Sequence, residues 1–169
     1  AVDEHGRTYS AYGGDFCEPL HDGSFVIDGM LLPERVPSPG LLELAAVNAP
    51  LHIAPGSDGI HVRSRYQVRT TEGVAFRWWV ERDGSEVASG VLDVPALAPG
   101  GDVVVPVPAE ALEARGDGGE HVLHVEASLA HDEPGAAAGH GLGHGEAVLV
   151  PRPVPARNAG ARVEATDDG

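Results

Sequence analysis

Phe76, Trp78 and Val80 alternate with Arg77, Trp79 and Glu81, and the run ends in Arg82-Asp83-Gly84-Ser85. A period of two puts successive side chains on opposite faces of an extended chain, so this stretch reads as a strand with one buried and one wet face. Asp-Gly is a two-residue hairpin signal, because both central positions of a type I′ turn need positive φ. Glu86 to Leu92 is therefore expected to return as the partner strand. Trp78 faces the core from a central strand. Trp79 faces outward, as a rim residue or as part of a contact with another domain.

The same period recurs on both sides. Ile60, Val62, Tyr66 and Val68 alternate with His61, Arg63, Arg65, Gln67 and Arg69. Leu123, Val125, Ala127 and Leu129 alternate with His124, Glu126 and Ser128. Leu51 to Ala54, Val103 to Val105 and Ala147 to Val150 are shorter apolar runs. Together they suggest seven strands with turn signals every ~8–12 residues, the pattern of an immunoglobulin- or fibronectin-like β-sandwich. The fold class expected is all-β over residues 50–151. Residues 152–169, rich in Pro, Ala and Gly, read as a linker or disordered tail. Residues 1–49 hold one helical candidate, Leu41 to Val47, after the breaker Pro37-Ser38-Pro39-Gly40. Val26, Ile27, Met30, Leu31 and Leu32 have too few partners to enclose them, so this segment is expected to pack on something outside the chain.

Charge narrows the function. With 11 basic and 26 acidic residues the 169-residue chain carries a net charge of −15, which argues against nucleic acid or an anionic membrane as partner. A single cysteine, Cys17, excludes an intrachain disulfide and a cysteine-based zinc site. No apolar run approaches the ~20 residues of a membrane span. No signal peptide is visible, and the chain opens at Ala1, so a piece of a longer protein is one expectation.

The densest chemistry lies at Tyr12-Gly13-Gly14-Asp15-Phe16 and Asp22-Gly23-Ser24-Phe25-Val26-Ile27-Asp28-Gly29. Asp15, Asp22 and Asp28 read either as Asx-turns and caps or as carboxylates converging on a metal or a sugar. A glycosidase needs two carboxylates flanking the scissile bond, and no spacing here sets such a pair. His140 and His144 are four apart but separated by glycines, so they read as solvated histidines in a flexible loop rather than as a helical zinc pair. His121 and His124 fall on opposite strand faces. Ser24 lacks a nucleophile-elbow setting, and Cys17 reads as a small buried hydrophobe.

These residues, Ser10 to Phe16 and Asp22 to Met30, resemble the large bacterial β-galactosidases of glycoside hydrolase family 2. The likeness continues through Pro33-Glu34-Arg35-Val36-Pro37-Ser38-Pro39-Gly40-Leu41-Leu42-Glu43, similar to the run that ends the family's catalytic barrel. Asp3 to Arg7 looks like the polar hairpin before the family's Gly-Gly-Asp-Phe strand. Trp78 to Gly84 and Ala88-Ser89-Gly90 look like the sandwich domain that follows the barrel, and Ala138-Gly139-His140, or its echo Gly143-His144-Gly145-Glu146, looks like that domain's last strand. The resemblance implies that residues 1–49 are the C-terminal remnant of a (β/α)8 barrel. It implies retaining hydrolysis of terminal β-galactosides by two glutamates upstream of Ala1, so no catalytic residue is carried over. It does imply a sodium site, with the Phe25 backbone carbonyl and the Asp28 side chain as ligands and Asp15 near the substrate. Asp28 replaces the family's usual Asn, Cys17 a frequent Gly and Ser38 a frequent His. Mg2+ in the parent enzyme, a homo-oligomeric parent, contacts with the remaining β-galactosidase domains and a cytoplasmic location are further implications. The alternative is a stand-alone sandwich that binds carbohydrate or protein without catalysis.

Overall fold

Leu123, Val125, Ala127 and Leu129 are buried while the residues between them are half-exposed, which makes this stretch the central strand of a sheet. The computed structural model describes residues 1–25, 29–32, 35–116 and 118–153. The chain divides into two compact units, Ala1–Ala49 and Pro50–Gly169.

In the first unit, Ser38 caps helix α1 (Pro39–Val47). Its hydroxyl accepts from the Leu41 amide at 3.2 Å, and Pro39 enters at a position whose missing N–H costs nothing. The supposed breaker is therefore the start of the helix. No residue of α1 is buried, and Leu42 and Val47 are exposed. Outside α1 the described residues form turns and two isolated bridges, Val2 with Thr8 and Leu31 with Pro37. The bridge from Val2 to Thr8 closes a turn in which Asp3 accepts from the amides of His5 and Arg7.

The second unit is a two-sheet sandwich. Strands β1 (Leu51–Gly56), β2 (Gly59–Ser64) and β5 (Asp102–Val105) form one antiparallel sheet in the order β1-β2-β5. The other sheet runs β4-β3-β6-β7 and is built from β3 (Val74–Arg82), β4 (Ser85–Val91), β6 (His121–Leu129) and β7 (Gly141–Val150). The all-β sandwich expected from the alternation is the observed fold. Asp83 and Gly84 have φ of 47° and 83° and form the two-residue turn between β3 and β4, as the Asp-Gly signal requires.

The core lies between the inner faces. Leu51, Ile53, Ile60 and Val62 meet Phe76, Trp78, Val80, Leu123, Val125 and Ala127, all buried. Each fully buried large side chain contributes roughly 1.5–3 kcal/mol. Trp78 faces inward, 3% exposed, as its place in the alternation demands.

Two expectations need correction, and one element was not anticipated. The strand beginning at Ile60 stops at Ser64, and Val68 is exposed. The last rungs of the ladder are the Ser64 amide bonded to the Gly101 carbonyl and the Arg65 amide bonded to the Pro50 carbonyl. The short helix α2 (Ala109–Glu113) covers the core with Ala111, and one turn of helix is too short to show a period. Finally, Gly141 to Glu146 is strand, not flexible loop. Added β-carbons on Gly143 and Gly145 would collide with the carbonyl oxygens of Leu51 and Ile53. Glycine is used there so that β1 can run alongside β7 in backbone contact.

Candidate functional site

The glycine-rich segment of the first unit forms turns. Asp15 accepts from the Tyr12 amide at 3.0 Å, and Glu18 accepts from the amides of Gly14 and Phe16 at 2.8 and 3.1 Å. These backbone donors, Gly14 foremost, hold the Glu18 carboxyl below its ordinary pKa. Gly14 has φ of 97°, and an added β-carbon would strike the His21 ring, so a side chain is excluded twice over. Tyr12 to Phe16 is thus a turn, closed by the Asp15 amide bonding to the Tyr12 carbonyl at 3.2 Å, rather than a strand. A parallel barrel strand is held only by neighbouring strands, and the first unit has no named strand among its described residues. Cys17 is exposed, not buried.

Phe25 is 76% exposed, and its amide bonds to the Asp22 carbonyl at 3.3 Å. Asp28 lies outside the described residues. Among the described residues, Asp15 and Asp22 belong to no trio of His, Cys, Asp or Glu able to hold a metal. One backbone carbonyl is not a coordination set, so the described part of this segment does not by itself form a cation site. The cleft of about 450 Å³ lined by His52, Arg63, Ser64, Arg65, Gln67 and Gly100 has no carboxylate among its described lining residues.

The outer face of the four-stranded sheet is richer. Register places Trp79 opposite His124, and His124 opposite Glu146. His144 follows on the same face of β7, opposite Glu126. The His124 ring stacks on the Trp79 indole with centroids 4.9 Å apart and planes 9° from parallel. Its Nδ1 lies 3.3 Å from His144 Nε2 and 3.5 Å from Glu146 Oε2. Its Nε2 is buried, has no hydrogen-bond partner among the described residues, and lies 3.6 Å from Glu81 Oε2. Glu81 is fixed in turn by the Trp79 Nε1–H, which donates to its Oε1 at 2.9 Å. The Arg77 guanidinium also lies over the Trp79 ring, 5.3 Å from its centroid, and pairs with Glu86 at 2.8 Å. The Glu86 carboxyl is held below its ordinary pKa by hydrogen bonds, from Ser89 first and then Arg77.

Sequence reasoning placed Trp79 on the outer face and separated His121 from His124. It did not join His124 to His144, because their meeting depends on the pairing of β6 with β7.

Residues 60–150 match the family described as β-galactosidase, domain 4. The chain belongs to that family. β-Galactosidase domain 4 here is the sandwich unit, from β2 to the end of β7. A β-galactosidase of Arthrobacter sp. (strain B7) is 35% identical over 161 residues, which cover 90% of this chain and 16% of that protein. A β-galactosidase of Kluyveromyces lactis is 32% identical over 145 residues, 86% of this chain and 12% of that protein. β-Galactosidase 2 of Enterobacter cloacae is 34% identical over 141 residues, 82% of this chain and 13% of that protein. The chain thus spans between 12% and 16% of the length of these relatives. No helix among the described residues is long and apolar enough to cross a membrane.

Proposed function

We propose that this chain is part of a β-galactosidase that hydrolyses terminal non-reducing β-D-galactosides with retention. The observation that carries the reading is the reach of the likeness. A match covering 90% of the chain must extend beyond domain 4 into residues 1–49. That segment also exposes Phe16, Leu20 and Phe25 at 71%, 90% and 76%. The remaining domains of the enzyme would cover this apolar surface, with residues 1–49 completing a catalytic (β/α)8 barrel. The sandwich of residues 50–151 buttresses the barrel and sets the position of later domains, with residues 152–169 as linker.

In this reading the Phe25 carbonyl and the Asp28 carboxylate form one edge of a Na+ site whose other ligands come from outside the chain. Oxygen donors suit such a hard cation. A cation there supplies a fixed positive charge that orients a sugar hydroxyl, and Asp15 stands near the substrate. Mg2+ in the whole enzyme, a homo-oligomer and a cytoplasmic location complete the proposal. Retention requires two carboxyl groups ~5 Å apart, one as nucleophile and one as acid/base. Both are assigned to the part of the enzyme before Ala1, so the isolated chain is inactive.

The test compares two samples on a chromogenic β-galactoside. One is purified 1–169, and the other is native protein captured by an antibody against residues 50–151. Turnover by the captured protein and none by 1–169 is expected. Turnover by 1–169 overturns the placement of the catalytic pair. A captured protein of 17.5 kDa without activity favours the stand-alone binding module.

A further inference from the structure

We propose that the outer face of the four-stranded sheet carries a zinc site made by His124 Nδ1, His144 Nε2 and the Glu146 carboxylate. The donor atoms of these three residues all lie within 4.8 Å of one another. A tetrahedral ion with bonds of about 2.0–2.1 Å separates its ligands by about 3.3–3.5 Å. The His124 to His144 and His124 to Glu146 separations, 3.3 and 3.5 Å, already have that span. They are set by backbone register, since His124 and Glu146 are cross-strand partners and His144 precedes Glu146 by two on one face.

The orientation of His124 is a second, independent argument. The Trp79 indole holds the ring flat, aiming Nδ1 at His144 and Glu146. The opposite nitrogen, Nε2, is buried against Glu81 at 3.6 Å without a hydrogen bond among the described residues. In the neutral tautomer with its proton on Nδ1, a bare Nε2 lone pair would face that carboxylate. A metal on Nδ1 forces the proton onto Nε2, turning an unfavourable approach into N–H facing carboxylate. This is the arrangement in which an outer carboxylate fixes the tautomer of a ligating histidine and raises its basicity. Here the outer carboxylate is itself tethered by Trp79.

Two imidazoles and one carboxylate favour Zn2+, Co2+, Ni2+ or Cu2+ over Mg2+ and Ca2+. Three protein ligands leave the fourth position open, and the exposure of His144 and Glu146 gives water or an outside group access to it. His140 is exposed and is not among the three ligands.

Calorimetric titration of chelator-stripped 1–169 with Zn2+, and separately with Mg2+, at neutral pH tests the site. One Zn2+ per chain is expected, with Mg2+ binding at least a hundredfold weaker. His144→Ala and Glu146→Gln each weaken Zn2+ at least tenfold, while His140→Ala leaves it unchanged. Both are exposed positions, and circular dichroism of each variant checks that the fold survives. Histidine ring 15N spectra report the ligating atom: Zn2+ should shift His124 Nδ1 and leave Nε2 protonated. The proposal fails if Zn2+ does not bind, if His144→Ala and Glu146→Gln bind it normally, or if Mg2+ binds as tightly.

Discussion

Gly145 on β7 faces the backbone carbonyl of Ile53 on β1 so closely that no β-carbon fits between them. The neighbouring Gly143 faces Leu51 in the same way. Neither has a positive φ, so the demand for glycine is steric rather than conformational. Gly145→Ala should push the two strands apart and lower stability by about 2–4 kcal/mol. Gly141→Ala is the control, since an added β-carbon there meets nothing nearer than a Glu126 carboxylate oxygen at 3.9 Å. Its effect should stay within about 1 kcal/mol. Urea unfolding of the two variants checks the contrast.

Thr71 is buried, and its hydroxyl accepts from the Leu97 amide at 2.8 Å. The Thr71 amide returns a bond to the Leu97 carbonyl at 3.0 Å. Thr71→Val keeps the shape but leaves the Leu97 N–H without its acceptor. We expect a loss of about 1–3 kcal/mol, with faster amide exchange at Leu97. An unchanged exchange rate would show that the amide finds another partner.

His121 is fully buried, and neither ring nitrogen has a hydrogen-bond partner among the described residues. An orphaned polar group in a core is a cost, and an apolar replacement removes it. His121→Leu should leave the urea midpoint unchanged or raise it, by up to about 2 kcal/mol in stability. A clear loss would mean that buried water bonds the imidazole.

Arg69 grips Glu133 through two bonds of 2.7 Å each. The hydrogen bonds from Arg69 hold the Glu133 carboxyl below its ordinary value of 4.5. Asp3, Asp58 and Asp83 are lowered too, chiefly by bonds from the Arg7 amide, the His61 ring and the Glu120 amide respectively. For a depressed carboxyl the stabilisation is fully present above the unfolded value and is lost as pH falls through the folded one. Stability should therefore hold down to about pH 4.5 and then decline. Glu133→Gln should make the acid limb shallower in a series of urea midpoints from pH 7 to 3. A limb of unchanged slope would remove Glu133 from the account.

Much of the sandwich was legible because its signals are local. Alternation over two or three residues separates Trp78 from Trp79 without knowledge of any neighbour. Asp83-Gly84 announces its turn because positive φ is a property of those residues alone. The sign of the charge and the single cysteine are likewise readable without a fold. The glycines of β7 misled for the same reason. Judged locally, Gly139 to Gly145 lacks strand propensity, yet the deciding force is the close approach of β1, about 90 residues earlier in the chain. The three-residue cluster of His124, His144 and Glu146 depends on register. A shift of one residue between β6 and β7 would send His144 and Glu146 to the core face and dissolve it. Residue order set which faces were apolar; only strand pairing, a long-range hydrogen-bonded alignment, decided which side chains stand within ligand distance of one another.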